Sequence, residues 1–258
     1  MNSKLNLAII QANLVWEDPE QNRQQFQKTI KDINDSVDIV VLPEMFTTGF
    51  TMHSKGLAET MQGETIKWLV RLTSEINAAI CGSLIINEDH KYYNRFVFVE
   101  PNGTIKTYDK RHTFTLAGEH KVYSAGNKKL ILEYKGWRIC PLVCYDLRFP
   151  VWARNTEDYD VLIYVANWPK PRINAWDTLL KARAIENMSF CVGVNRVGKD
   201  INNHHYTGHS VVYNGLGEAK SDINEDEHVE IVELNRNHLT SIRTKLKFLE
   251  DKDDFILK

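Results

Sequence analysis

Long runs of any one kind are what this sequence lacks. No apolar stretch approaches the roughly 20 residues that a membrane-spanning helix needs, and the opening segment is interrupted too soon, by Gln11 and Asn13, to serve as a secretory h-region. There is no block of Lys and Arg either. With 32 basic and 34 acidic residues the formal net charge is −2, so a phosphate-binding stripe is missing and nucleic acid is not an expected partner. Cysteine is sparse: Cys81, Cys140, Cys144 and Cys191 mostly sit in apolar, strand-like surroundings, without the clustered spacing of a disulfide scaffold. Free thiols in a reducing, cytoplasmic compartment are the simpler expectation. Gly, Ser and Pro nowhere gather into a linker, and there is no low-complexity tract or internal repeat. The 258 residues are enough for one large layered domain or for two smaller ones. The missing linker favours one domain over residues 1–258, ending in a helix plus tail over 236–258.

What is present is an alternation of short apolar runs with longer amphipathic ones. Residues 5–10 and 38–42 are nearly unbroken Val, Ile and Leu, which predicts strands covered on both faces. Between them a helix begins near Pro19 and carries Phe26, Ile30 and Ile33 on one face; a second, over 64–77, carries Ile66, Leu69, Val70 and Ile76. Strands follow at 79–86, 95–100 and 104–108, the last two joined by a Pro101-Asn102-Gly103 turn. After a polar loop over 109–127 come a hairpin through Lys135-Gly136, a short helix, a strand over 160–166 and a helix over 174–188 striped by Trp176, Leu179, Leu180 and Ala184. Strands near 190–195, 209–213 and 228–233 close the pattern, with a turn over 214–217. So many strands exceed one modest sheet and point to two packed sheets with helices on their outer faces.

Three polar residues stand where strands run out into loops, which is where such folds place their chemistry. Glu44 follows an apolar Val-Val-Leu-Pro run, Lys110 ends the strand leading into Arg111 and His112, and Cys144 ends an apolar strand at a polar turn. Singly, each has an ordinary reading: a strand-end carboxylate, a solvated lysine, a packed thiol. Together they are a complete set for acyl transfer, because a thiol needs a base, a departing nitrogen needs an acid and a tetrahedral oxyanion needs positive charge. Glutamate can fill both proton-transfer roles, so no histidine is required.

The strings LPEMF around Glu44, YDKRHTF around Lys110 and VCYDLRFP around Cys144 resemble, in order and over nearly the whole chain, the three catalytic motifs of the nitrilase (carbon-nitrogen hydrolase) superfamily. Within it, YVANWPKPRINAWDTLLKARAIEN (164–187) and NRVGKD (195–200) resemble the YafV-type bacterial omega-amidases that act on 2-oxoglutaramate. The resemblance implies an α/β fold built as a four-layer α-β-β-α sandwich. It also implies a Glu44–Lys110–Cys144 triad, a second glutamate at Glu119 orienting Lys110, and an oxyanion site on Lys110 and the backbone N–H of Tyr145. The expected reaction is hydrolysis of a small dicarboxylic acid monoamide through a cysteine thioester, without cofactor or metal, in a homodimer. Trp168, Phe114 and Arg172 are the candidate substrate-binding residues, Arg172 for a distal carboxylate, with Arg111 and His112 behind it. The chain departs from the branch at Met188, Thr207, His209 and Lys247, which leaves the triad intact and weakens the substrate assignment.

Competing readings use the same residues differently. A nitrile, carbamoyl or acyl-transfer enzyme would share the triad, and a binding module would leave it idle. His204, His205 and His209 suggest a metallohydrolase, but they fall in an Asn-rich loop without a further ligand expected nearby, so surface or packing roles are favoured. Cys140 shares strand parity with Cys144 and could face the same side, though its place inside the strand suits a small buried hydrophobe. Trp137 and Trp176 are core candidates.

Overall fold

The computed structural model describes residues 3–256; Met1, Asn2, Leu257 and Lys258, at the ends of the expected span, lie outside them. In chain order the elements are β1 (Lys4–Gln11), α1 (Pro19–Lys31), β2 (Ile39–Val41), α2 (Ser54–Leu57), α3 (Glu64–Ile76), β3 (Ala79–Glu88), β4 (Lys91–Val99) and β5 (Ile105–Asp109). Then come β6 (Leu132–Tyr134), β7 (Trp137–Val143), α4 (Pro150–Ala153), β8 (Val161–Ala166), α5 (Ile173–Asn187), β9 (Phe190–Asn195), β10 (Val197–Lys199), β11 (His205–Thr207), β12 (Val211–Tyr213), β13 (His228–Asn235) and α6 (Arg236–Leu246).

Two sheets carry the fold. The first runs β13-β1-β2-β3-β4-β5 and the second β12-β9-β8-β7-β6, with β1, β2, β3 parallel in one and β7, β8, β9 parallel in the other. Strand alternation sorts the side chains. Leu7 and Ile9 of β1 join Phe96, Ile139, Val161 and Val192 in the layer between the sheets. Ala8 and Ile10 turn the other way, onto Phe26 and Ile30 of α1 and Ile66, Leu69 and Leu72 of α3. Each such fully buried aliphatic side chain contributes roughly 1.5–3 kcal/mol of transfer free energy. On the far side α5 lies directly against β9: a Cβ on Gly193 would stand 2.3 Å from Leu180 Cδ1, so only glycine lets the helix come that close. The layers are α-β-β-α, as the resemblance implied.

Local signals account for most boundaries. Asp18 caps α1 by accepting from Gln21 N at 2.9 Å, with Pro19 in the first turn. The expected 95–100 strand is longer, because β3 and β4 form a hairpin whose two turn residues, Asp89 and His90, both have positive φ (50° and 61°), the geometry that matches strand twist. The 38–42 strand contracts to three residues. The expected 209–213 strand begins at Val211, and an unanticipated small ladder pairs β10 with β11. Three-residue strands without apolar alternation carry no periodic signal. The 109–127 loop holds two short 3-10 turns, Thr115–Ala117 and Glu119–Lys121. Beyond α6, residues 247–256 form the expected tail.

Candidate active site

Each sequence-singled residue of the set comes from the end of a strand. Glu44 leaves β2 in a loop that folds back over β3: a Cβ on Gly82 would meet Phe46 at 2.8 Å and Leu42 at 3.0 Å, so the loop needs glycine beneath it. Met45 takes φ 44° and its N–H donates to Ser83 Oγ at 2.9 Å, which turns the Glu44 side chain inward. Lys110 follows β5, held by its N–H to Asn94 O at 3.0 Å. Cys144 follows β7 with φ 44°, a left-handed conformation that costs a non-glycine residue about 1–3 kcal/mol and is found at functional turns. That kink takes Cys144 out of the strand, so the parity it shares with Cys140 does not put the two thiols together; Cys140 is fully buried in the hydrophobic core, and Cys144 is half-buried at a cavity.

Glu44, Lys110 and Glu119 form one buried charged cluster. Lys110 Nζ donates to Glu44 Oε1 at 2.9 Å and to Glu119 Oε1 and Oε2 at 3.0 and 2.9 Å, with all three side chains at most 1% exposed. Asn94 Nδ2 donates to both carboxylates, at 2.7 Å to Glu44 and 3.3 Å to Glu119. Glu44 Oε2 accepts from the backbone N–H of Asn167 at 2.8 Å, and Asn167 Nδ2 donates to the Glu44 carbonyl at 2.6 Å. Glu119 reaches the cluster because Gly118, at φ 76°, turns the loop, and its carboxylate also accepts the Phe114 N–H. A solvated loop carboxylate is thus the wrong picture for Glu119.

The electrostatics follow from burial and crowding. Burial alone would lower the Lys110 ammonium, but Glu119, Glu44 and the Cys144 sulfur outweigh it and hold the group above its usual value, so it stays charged. Glu119 is pushed up by burial, opposed by Lys110 and reinforced by Glu44. Burial, then the neighbouring Glu44 carboxylate, push the Cys144 thiol well up, with Lys110 pulling the other way. The Cys144 sulfur is therefore held as a thiol beside Glu44 and Lys110.

A cavity of about 760 Å³ opens over Cys144, and Glu44, Lys110, Tyr145, Phe114, Trp168 and Arg172 line it. The Arg172 guanidinium lies 5.2 Å above the Phe114 ring, and Trp168 Nε1 donates to the Arg172 carbonyl at 2.8 Å. Arg111 and His112, the reserve candidates, turn away from this space. Arg111 stacks 5.3 Å over Trp152 and donates to Gly126 O, and His112 lies flat on Phe149 with Nδ1 2.8 Å from Asp146 Oδ1. His204 pairs with Asp200, a nearby carboxylate the sequence reading overlooked, at 2.9 Å, and His209 with Asp177 at 3.0 Å; among the described residues no cluster of three ligating side chains occurs.

Sequence reasoning missed Asn94, Asn167 and Arg148. Asn94 was visible only as a polar residue interrupting a strand. Arg148, exposed at the cavity mouth and 4.9 Å over the Trp168 ring, looked like any turn arginine.

A model described as carbon-nitrogen hydrolase matches residues 6–244. The chain is 46% identical over 258 residues to the omega-amidase YafV of Yersinia enterocolitica, covering 99% of each. It is 28% identical over 253 residues to the 2-oxoglutaramate amidase of Bacillus subtilis, covering 96% of this chain and 97% of that protein. Among solved structures it resembles XC1258 from Xanthomonas campestris, a CN-hydrolase superfamily protein with an arsenic adduct in its active site, at TM-score 0.97 and 41% identity over 100% of both chains.

Proposed function

The chain belongs to the carbon-nitrogen hydrolase family, and from that premise we propose that it is an omega-amidase, hydrolysing the terminal amide of a small 2-oxoglutaramate-like dicarboxylic acid monoamide to the acid and ammonia. The observation that carries the reading is the buried Glu44–Lys110–Glu119 cluster, whose Glu44 and Lys110 line the cavity that also holds Cys144. Near full-length likeness to an omega-amidase and a 2-oxoglutaramate amidase supports the substrate class.

In the proposed path Cys144 Sγ attacks the amide carbon as Glu44 takes the thiol proton. Because the thiol is held up by burial and by Glu44 itself, this transfer belongs to the attack step and does not precede it. The oxyanion forms beside the Lys110 ammonium and the Tyr145 N–H. Collapse breaks the C–N bond, Glu44 returns its proton to the nitrogen, and ammonia leaves a thioester on Cys144. Water then attacks the thioester while Glu44 takes a proton from it, and the C–S bond breaks as that proton passes to sulfur. Glu119 and Asn94 keep Lys110 and Glu44 in place throughout. At the other end of the substrate, Arg172 takes the distal carboxylate and Trp168 and Phe114 form the walls.

The test is ammonia release from 2-oxoglutaramate, succinamate and glutarate monoamide by the wild type and by Cys144→Ala. Release by the wild type alone is expected. An inactive wild type whose Cys144 still reacts selectively with iodoacetamide would sink the substrate class, and substantial turnover by Cys144→Ala would sink the nucleophile.

A further inference from the structure

The reacting groups come from different sheets. Glu44 and Lys110 follow strands of the first sheet and Cys144 follows β7 of the second. Between the sheets lies an apolar layer, and apolar contact is non-directional, so it does not by itself fix the distance between a thiol on one sheet and an ammonium on the other. Directional bonds must do that. Asn167, at the end of β8, supplies one such tie by holding Glu44. A second stands at Asp146, which the mechanism above does not use.

Asp146 is fully buried, two residues beyond Cys144. Its Oδ2 accepts from Val143 N at 3.0 Å and from Tyr108 OH at 2.7 Å. Its Oδ1 accepts from His112 N at 2.9 Å and lies 2.8 Å from His112 Nδ1. One donor thus belongs to the nucleophile's own strand end, and the others come from the residues two before and two after Lys110. The Tyr108 hydroxyl accepts from Trp152 Nε1 at 3.0 Å and from Arg111 N at 3.1 Å, which commits its single proton to Asp146. His112 is fixed in turn by lying on Phe149, ring centroids 3.7 Å apart and planes 6° from parallel. No other carboxylate is needed by these groups, and none of the contacts touches the cavity floor.

We propose that Asp146 is a positioning residue that clasps the Lys110 segment of the first sheet onto the Cys144 turn of the second, setting the separation of ammonium and thiol. The clasp explains why a strained turn at Cys144 persists: the carboxylate holds the turn from inside, at Val143, and from across the seam, at Tyr108 and His112. It rests on the reading of Cys144 and Lys110 as the reacting pair.

Asp146→Asn keeps the shape but presents an amide N–H₂ to donors on one side. A misplacement of the order of 1 Å costs about 100-fold in rate, so kcat per titratable Cys144 should fall about 100-fold with KM changed by little. The pH midpoint of Cys144 alkylation should move up as the ammonium loses its hold beside the thiol. A residue of merely structural importance would lower the melting temperature and leave kcat per thiol and the alkylation midpoint where they were, and that result overturns the proposal. Should Asp146→Asn fail to fold, Tyr108→Phe removes only the hydroxyl; a fall in kcat of about 10-fold supports the clasp, and wild-type kcat overturns it. Failure of the underlying reading is distinguishable, since Cys144→Ala would then stay active whatever Asp146→Asn does.

Discussion

Replacing Glu44 with glutamine should pull apart two properties that usually travel together, abolishing turnover while making the thiol more reactive. Glutamine keeps the shape of a side chain that contacts Lys110 Nζ at 2.9 Å, Asn94 Nδ2 at 2.7 Å and Asn167 N at 2.8 Å, but it carries no charge and cannot accept a proton. The first cause holding the Cys144 thiol up, burial, is unchanged by this exchange; the second, the Glu44 carboxylate, disappears, and Lys110, which favours the thiolate, remains. Two unit charges about 4 Å apart at an effective permittivity of about 20 interact by about 4 kcal/mol. If half is lost as Lys110 settles toward Glu119, about 2 kcal/mol is left, a roughly 30-fold gain in thiolate fraction. Loss of general acid–base catalysis lowers kcat by about 100- to 10,000-fold. The assay pairs ammonia release with the rate of iodoacetamide alkylation followed from neutral to alkaline pH. Turnover should collapse while the alkylation midpoint moves to lower pH. A midpoint that stays or rises would show that the thiol does not lie in the field of Glu44, and the proposed proton path would fall with it.

Further outcomes follow from the same geometry. Glu119→Gln leaves Lys110 with one carboxylate in place of two, and since a hydrogen bond to a charged group is worth about 1.5–3 kcal/mol, kcat should drop about 10- to 100-fold. Burial and Glu44 hold the Glu119 carboxyl above its usual range, so the folded chain binds that proton more tightly than the unfolded one. Its stabilising contribution is complete below the ordinary carboxylate range and is lost as pH rises through the raised value. Urea denaturation should therefore show a flatter stability profile for Glu119→Gln from weakly acid to neutral pH, and an unaltered slope would exclude Glu119 as its source. Arg172→Met should raise KM for carboxylate-bearing amides by about 10-fold relative to neutral amides of the same length. Equal effects on both would remove Arg172 from substrate recognition. The same change at exposed Arg148 should matter less and fade with added salt.

Sequence by itself determined the layers and the chemical set. Unbroken Val, Ile and Leu runs marked the central strands, the Phe26–Ile30 and Ile66–Leu69 stripes marked the helices facing them, and strand ends marked Glu44, Lys110 and Cys144. These signals are local, since burial period and turn chemistry are written within a few residues of each other. Tertiary structure alone decided what holds the set together. Asn94 meets Glu44 across 50 positions of sequence, Asn167 meets it across 123, and Asp146 meets Tyr108 across 38. A buried asparagine or aspartate has no periodic signature, and its partner is chosen by how two sheets stack. The same holds for the arginines: sequence ranked Arg172 ahead of Arg111 and passed over Arg148, and only the aromatic faces they come to rest on, Phe114, Trp152 and Trp168, send Arg111 away from the cavity and the other two to its wall. Hydrophobic pattern can specify which faces meet, because it depends on area and period; the position of a proton donor to within an ångström depends on directional bonds that exist only after the sheets have met.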